Sequence, residues 1–292
     1  MPRYHRPSTL TEALALRADA ASPLIVLAGG TDLYPARTHR AAWFEAYGRD
    51  MLDLTGVAEL AGVSHDADGT RIGALTSWSE IARADLPPAF AGLRRACLQI
   101  GGVQIQNRGT LGGNLCNASP AADGAPPLLA LDARVELASL RGARQLPLAE
   151  FMRGNRSTAL AADELLVAIH VPAQPAGARS AFLKLGARAY LVISIASVAC
   201  NAGVDEAGVV SSLAIAVGAC SAAPRRLPAL ERRLIGRPAS EVAAVEPGEA
   251  DLEGLSPIDD VRASAAYRGH AARVLVRRAL TEALSPALER AA

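Results

Sequence analysis

The chain has 292 residues, half of them hydrophobic, with 30 basic and 29 acidic side chains and a formal charge of +1. That length suffices for two domains or one large one, and the even charge balance offers no basic face to a nucleic acid. No apolar run approaches the length of a membrane span, and the opening MPRYHRPSTL lacks the apolar core of a signal peptide, so a cytoplasmic protein is expected.

Thr9-x-x-Glu12 forms a capping box, and Leu10, Ala13, Leu14 and Leu16 follow it at helical spacing. This helix should end near residues 20–23. Leu24 to Leu27 is a short apolar run that reads as a buried strand. Gly29-Gly30 then make a tight turn, and Thr31 or Asp32 can cap a following helix. A strand that runs through glycines into a helix N-terminus suits a phosphate group. The spacing is neither G-x-G-x-x-G nor G-x-x-x-x-G-K-[ST], which excludes a Rossmann or P-loop assignment. Residues 34–50 show no clean period, and Met51 to Leu54 reads as a strand. Residues 61–74 alternate around Asp68-Gly69, a hairpin signal. Ser77-x-x-Glu80 is a second capping box, and Pro87-Pro88 ends the helix it opens. Leu93, Ala96, Cys97 and Ile100 then mark another helix.

That helix delivers the chain into Ile100 to Asp123, IGGVQIQNRGTLGGNLCNASPAAD, with five glycines and only Arg108 and Asp123 charged. Such a composition disfavours both helix and central strand. It favours backbone that approaches a ligand closely and presents amide donors, so a long functional loop is expected here.

Pro126-Pro127 opens a short helix through Leu131. Strands follow at 134–138, 144–148 and 165–171. The segment PAQPAG, 172–177, reads as a linker. Beyond it come the strand 180–185, the apolar segment 190–200, a turn at Asp205 to Gly208 and the strand 209–217. Helices are expected at 227–235 and 258–284, the latter with Val261, Ala265, Ala272, Leu275, Ala279 and Leu280 near one face. Residues 238–257 read as surface loop. Cys97, Cys116, Cys200 and Cys220 form no C-x-x-C pair, and Cys116 is expected to pack. His5, His39, His65, His170 and His270 are scattered, and there is no G-x-S-x-G. Hydrolase and metalloenzyme readings therefore have little support, and no catalytic residue or metal ligand is assigned.

Ala28-Gly29-Gly30-Thr31-Asp32-Leu33, with Thr110-Leu111-Gly112-Gly113-Asn114, Ser119-Pro120 and Asp123, resembles the FAD-binding medium subunit of the xanthine dehydrogenase and carbon monoxide dehydrogenase family of molybdenum hydroxylases. Val103 to Arg108 is similar to a further segment of that family, and the likeness runs over nearly the whole chain. The resemblance implies an α+β fold. A two-lobed FAD-binding domain of the vanillyl-alcohol-oxidase/PCMH-like type would span 1–175, with lobes at about 1–55 and 56–175. A smaller α+β C-terminal domain, a three-stranded antiparallel sheet with helices, would span 178–284.

The resemblance also implies that the two glycine stretches grip one FAD. The amides of Gly29, Gly30, Thr31, Asp32, Gly112, Gly113 and Asn114 and the hydroxyls of Thr31 and Thr110 would hold the pyrophosphate. Leu27, Leu33, Ile100, Asn117 and Ser119 would add contacts, and Leu166 would touch the flavin ring. Asp123 is either a sugar-hydroxyl acceptor or the N-cap of the helix at Pro126, and Asp32 has the same two readings. Lys184 is either a group that reaches the flavin or an exposed strand lysine, and Tyr190 either covers the flavin or packs. The implied function is electron transfer, from [2Fe–2S] clusters of a small subunit through FAD to an external acceptor. The molybdopterin cofactor would sit in a large subunit, and the complex would be a dimer of heterotrimers. Two other readings are a nucleotide-binding or scaffold protein of the same fold without redox chemistry, and an independent oxidase like vanillyl-alcohol oxidase. The intact glycine stretches weigh against the former; the chain length and the missing catalytic set weigh against the latter.

Overall fold

A computed structural model describes residues 2–20, 24–42 and 48–285. The expected tail of the first helix at residues 21–23, and part of the aperiodic segment 34–50, lie outside the described residues.

The first layer is a three-stranded parallel sheet. The strands β1 (Tyr4–His5) and β2 (Ile25–Leu27) flank β3 (Met51–Asp53). Between them run helices α1 (Leu10–Asp19) and α2 (Leu33–Ala42). Thr9 caps α1 by accepting from the Glu12 amide at 3.2 Å. The Glu12 carboxylate reaches back one residue further than a standard capping box, to the Ser8 amide at 2.8 Å.

The second layer is a five-stranded antiparallel sheet. It comprises β4 (Val63–His65), β5 (Gly69–Gly73), β6 (Arg134–Ser139), β7 (Gly142–Pro147) and β10 (Leu165–Pro172), in the order β4-β5-β10-β6-β7. A two-stranded ribbon of β8 (Met152–Gly154) and β9 (Ser157–Thr158) precedes β10. Strand β10 is buried from Leu165 to Ile169, because both faces carry a core. Leu165, Val167 and Ala168 face the first sheet and α1, whereas Leu166, Ile169 and Val171 face the main core. A bulge between Leu166 and Ala168 puts two successive residues on one side.

Helices α3 (Trp78–Arg83), α4 (Ala91–Gln99), α5 (Val103–Arg108), α6 (Leu111–Asn117), α7 (Ala125–Ala130) and α8 (Leu148–Phe151) lie between β5 and β8. The third layer is a sheet of β11 (Arg179–Leu185), β12 (Ala196–Val204), β13 (Val210–Gly218) and the two-residue β14 (Arg225–Arg226). The expected three-stranded sheet thus gains a short fourth strand, which Arg226 fixes through Glu231 and Asp132. One face of this sheet, through Phe182, Ala199, Ala214 and Ala216, joins the main core; α4 and α7 pack there. The other face packs on α9 (Pro228–Leu234) and α11 (Ala265–Leu284), with α10 (Ala239–Ala243) beside them.

The last helix starts later than the sequence pattern suggests. Ser264 is its cap, accepting from the Tyr267 amide, and Asp259 holds the Ala265 amide. Val261 is fully exposed, outside the helix, while Ala272, Leu275, Ala279 and Leu280 are buried as their spacing demands. The segment 190–200 divides into an irregular stretch followed by β12 from Ala196.

Candidate functional site

The two glycine stretches meet. A Cβ on Gly29 would fall 1.8 Å from the Arg108 carbonyl oxygen, so only glycine lets the first turn touch the second stretch. Gly30 has φ +74°, and the turn leads into α2 through Gly30 and Asp32 carbonyls that accept from Tyr34 and Ala36. The amides of Gly29, Gly30, Thr31 and Asp32 have no hydrogen-bond acceptor among the described residues. They form a row of donors at the start of a helix, where the macrodipole adds positive potential.

The second stretch is not the irregular loop its composition suggests. It folds into α5 and α6, and Gly112 and Gly113 lie inside α6. Close packing overrides the low helix propensity. A Cβ on Gly112 would meet the Ala74 carbonyl at 2.7 Å, and its amide donates to that oxygen at 2.8 Å. Thr110 caps the helix by accepting from the Gly113 amide at 3.1 Å, and the Thr110 carbonyl accepts from Asn114 at 3.0 Å. The expectation that the amides of Gly112, Gly113 and Asn114 are available to a phosphate is therefore corrected: all three are engaged. The donors belong to the first turn, and α6 contributes the surface that faces it.

Between these elements lies a cavity of about 390 Å³. Ala28, Gly29, Gly30, Thr31, Asp32 and Leu33 line it from one side, and Ile100, Thr110, Gly112, Gly113, Asn114 and Asn117 from the other; Leu166 joins from β10. An adjoining opening of about 400 Å³ shares Asp32, Ile100, Ile105, Asn114 and Asn117 with it and adds Ser119, Asp123 and Lys184. Leu27 alone of the expected residues reaches neither space; it is 5% exposed and lies beneath Gly30. The Asn114 Oδ1 is buried and has no hydrogen-bond partner in the protein. A buried acceptor without a partner costs roughly 1–3 kcal/mol, and this one lies beside Gly124.

Asp123 is not the N-cap of the following helix. The short helix α7 is capped by Gly124 without a side-chain bond. The Asp123 carboxylate instead accepts from the Lys184 ammonium at 2.6 Å and the Ser194 hydroxyl at 2.5 Å. Lys184 is correspondingly no exposed strand lysine; its side chain is 8% exposed. Burial pushes the Asp123 carboxyl above its ordinary range, against the downward pull of Lys184 and Ser194. This ion pair forms a polar floor to the second opening, whose outer wall is Leu191, Val192 and Ile193. Tyr190, half exposed, is not part of either wall.

Several wall residues carry no motif. Val26, Leu54, Leu75, Leu160 and Leu165 supply apolar surface, and each reads in sequence only as a core residue. Trp78 also lines the cavity, and its ring leaves no room for a Cβ at Gly124. Cys116, expected to pack, is exposed and faces the cavity. Arg156 lines it too; it comes from the β8–β9 turn, a segment without a sequence signal.

Comparison with known proteins gives two family matches. Residues 1–174 match the FAD binding domain in molybdopterin dehydrogenase, and residues 181–283 match the CO dehydrogenase flavoprotein C-terminal domain. The chain is 33% identical to a xanthine dehydrogenase FAD-binding subunit of Escherichia coli O157:H7, over 97% of this chain and 96% of that one. It is 31% identical to the nicotine 6-hydroxylase medium subunit of Paenarthrobacter nicotinovorans, over 96% of each chain. Among solved structures it superposes on reconstituted CO dehydrogenase from Oligotropha carboxidovorans with a TM-score of 0.85 and 29% identity, covering 97% of this chain and 98% of that one.

Proposed function

The chain belongs to the FAD-binding subunits of the xanthine dehydrogenase and CO dehydrogenase family of molybdenum hydroxylases, and on that premise we propose how its own residues hold FAD. The observation that carries the proposal is the pairing of four unengaged amides, Gly29 to Asp32, with the orphaned Asn114 Oδ1 across one cavity. The diphosphate needs donors more than cations, and the first turn has them. Asn114 Oδ1 accepts from a ligand N–H or O–H. Thr31, Asn117 and Ser119 supply short polar contacts, and Leu33, Ile100, Thr110, Gly112, Gly113 and Leu166 shape the walls.

FAD, when bound, is a carrier that takes up and passes on electrons singly or in pairs. The protein's part is to fix the ring, exclude water and set the field around it. The Lys184–Asp123 pair does the last, because a buried ammonium held by a carboxylate presents a dipole and not a bare charge. Lys184 and Asp123 thus act as positioning and field residues at the second opening. We further assign the cofactor unit to residues 1–175, in two lobes at about 1–55 and 56–175, and the C-terminal unit to 178–284. The chain would work in the cytoplasm, beside an iron–sulfur small subunit and a molybdopterin-binding large subunit, in a dimer of heterotrimers. Electrons from the [2Fe–2S] clusters would leave through this FAD to an external acceptor.

The test is an absorbance spectrum of the purified chain before and after addition of FAD, with gel filtration. Flavin bands that travel with the protein and release FAD on denaturation are the expected result. A colourless chain, alone or with co-expressed partners, would leave the fold without a flavin role.

A further inference from the structure

Arg156 stands in the turn between β8 and β9 with φ +52°. Turns usually give that left-handed position to glycine or asparagine. An arginine persists there only when its surroundings determine it strongly, and three bonds do so. The Arg156 amide donates to the Ala118 carbonyl at 2.9 Å, at the end of α6. Its guanidinium donates to Asn117 Oδ1 at 2.5 Å. Asn117 Nδ2 in turn donates to Asp32 Oδ1 at 3.0 Å. A strained turn on one hairpin is thus tied, through one asparagine, to the donor-rich first glycine turn.

The charges make the connection meaningful. Among the described residues lining the 390 Å³ cavity, Arg156 is the only cation and Asp32 the only anion. A diphosphate seated on the amides of Gly29 to Asp32 meets the Asp32 carboxylate at close range, an unfavourable approach in a confined site. A guanidinium one side chain away, with several N–H donors uncommitted, offsets it and is well shaped for phosphate oxygens. We infer that Arg156 is a ligand-binding residue whose guanidinium engages the diphosphate of FAD and selects the dinucleotide over riboflavin. This rests on the FAD reading above and gives the cavity a cation, which neither glycine stretch places there.

The experiment titrates the full chain with FAD, ADP and riboflavin, following tryptophan fluorescence, to which Trp78 in the cavity wall contributes, and that of the flavin. It compares wild type with Arg156→Gln, Arg156→Lys and Arg156→Gly. The expected result is that Arg156→Gln weakens FAD and ADP about tenfold and leaves riboflavin unchanged, while Arg156→Lys recovers part of the loss. Arg156→Gly is the control for folding: it relieves the left-handed strain, so its thermal midpoint should equal or exceed wild type while FAD and ADP still weaken. Unchanged FAD affinity in Arg156→Gln, or an equal loss for riboflavin, overturns the assignment and leaves the FAD reading intact. A wild-type chain that binds neither FAD nor ADP removes both.

Discussion

Gly29 is where one methyl group decides the most. Its Cβ would sit 1.8 Å from the Arg108 carbonyl, and that neighbour is backbone, which cannot swing aside. Gly29→Ala should therefore separate the two glycine stretches, cost about 2 kcal/mol in urea unfolding, and drop the flavin-to-protein ratio to near zero. Wild-type flavin content in that variant would mean that contact between the stretches is dispensable. Asn114 gives the opposite signature. Asn114→Leu removes a buried acceptor that has no protein partner, so the flavin-free chain should gain about 1 kcal/mol, while FAD affinity falls. A less stable flavin-free variant would show that Oδ1 has an acceptor role inside the fold. At this scale the sequence was most legible where glycine and asparagine cluster: Gly29 to Leu33 and Thr110, Gly112, Gly113, Asn114 and Asn117 do line the cavity. It was silent on Arg156, Leu160 and Leu165, because a turn arginine and two leucines look the same whether they face a cavity or not. Asp123 and Lys184 were visible as candidates, but their pairing was not, since 61 residues separate them.

Among elements, α6 shows why composition misled. Two glycines and two asparagines in seven residues predict irregular chain. The helix forms because Thr110 caps it and the carbonyls of Thr76 and Ala74 take the amides of Leu111 and Gly112. Tertiary bonds to the connection between β5 and α3 are invisible to a local pattern. The last helix misled in the other direction, since Val261 fits the apolar stripe but precedes Ser264. Asp260, in that preceding segment, gives a pH test. It accepts from the Arg262 amide and from Arg262 and Arg268, the last buried and also holding the Ile195 and Ala219 carbonyls. The Arg262 amide, with the Arg268 and Arg262 charges, holds the Asp260 carboxyl at about 2, below the usual 3.8. As the folded value is the lower, its stabilisation is complete above pH 3.8 and disappears as pH falls from 3.8 towards 2. Acid unfolding of Asp260→Asn should be flatter than wild type across that window. Superimposable curves would show that the α11 anchor does not depend on this carboxylate.

The molecule as a whole is three sheets joined by two seams. β10 is the first, buried on both faces between the parallel sheet and the main core. The second is the inner face of β11 to β13, whose small residues Ala199, Ala214 and Ala216 admit the wholly buried α7. The prolines of 172–177 do fall in the connection between β10 and β11, whereas the packing of the third sheet onto α4 and α7 was not readable from strand spacing. The Lys184–Asp123 pair crosses this second seam. Lys184→Met leaves a buried carboxylate unpaired and should cost about 3 kcal/mol. Asp123→Leu combined with Lys184→Met should recover most of that, while altering the flavin's reduction midpoint. A double variant no more stable than the single one would place the loss in packing of the Lys184 stem and not in the charge.

The second seam has a consequence in time. Chains leave the ribosome from the N-terminus at about 5–20 residues per second. The amides of the first turn emerge early, but Lys184 and the wall from Leu191 to Ile193 come some 150 residues later, and the sheet that seats them requires β13 as well. A nucleotide met during synthesis would find a donor row with no floor and one open side. Flavin loading therefore falls at the end of translation, and a message truncated before β13 should yield a product that never turns yellow.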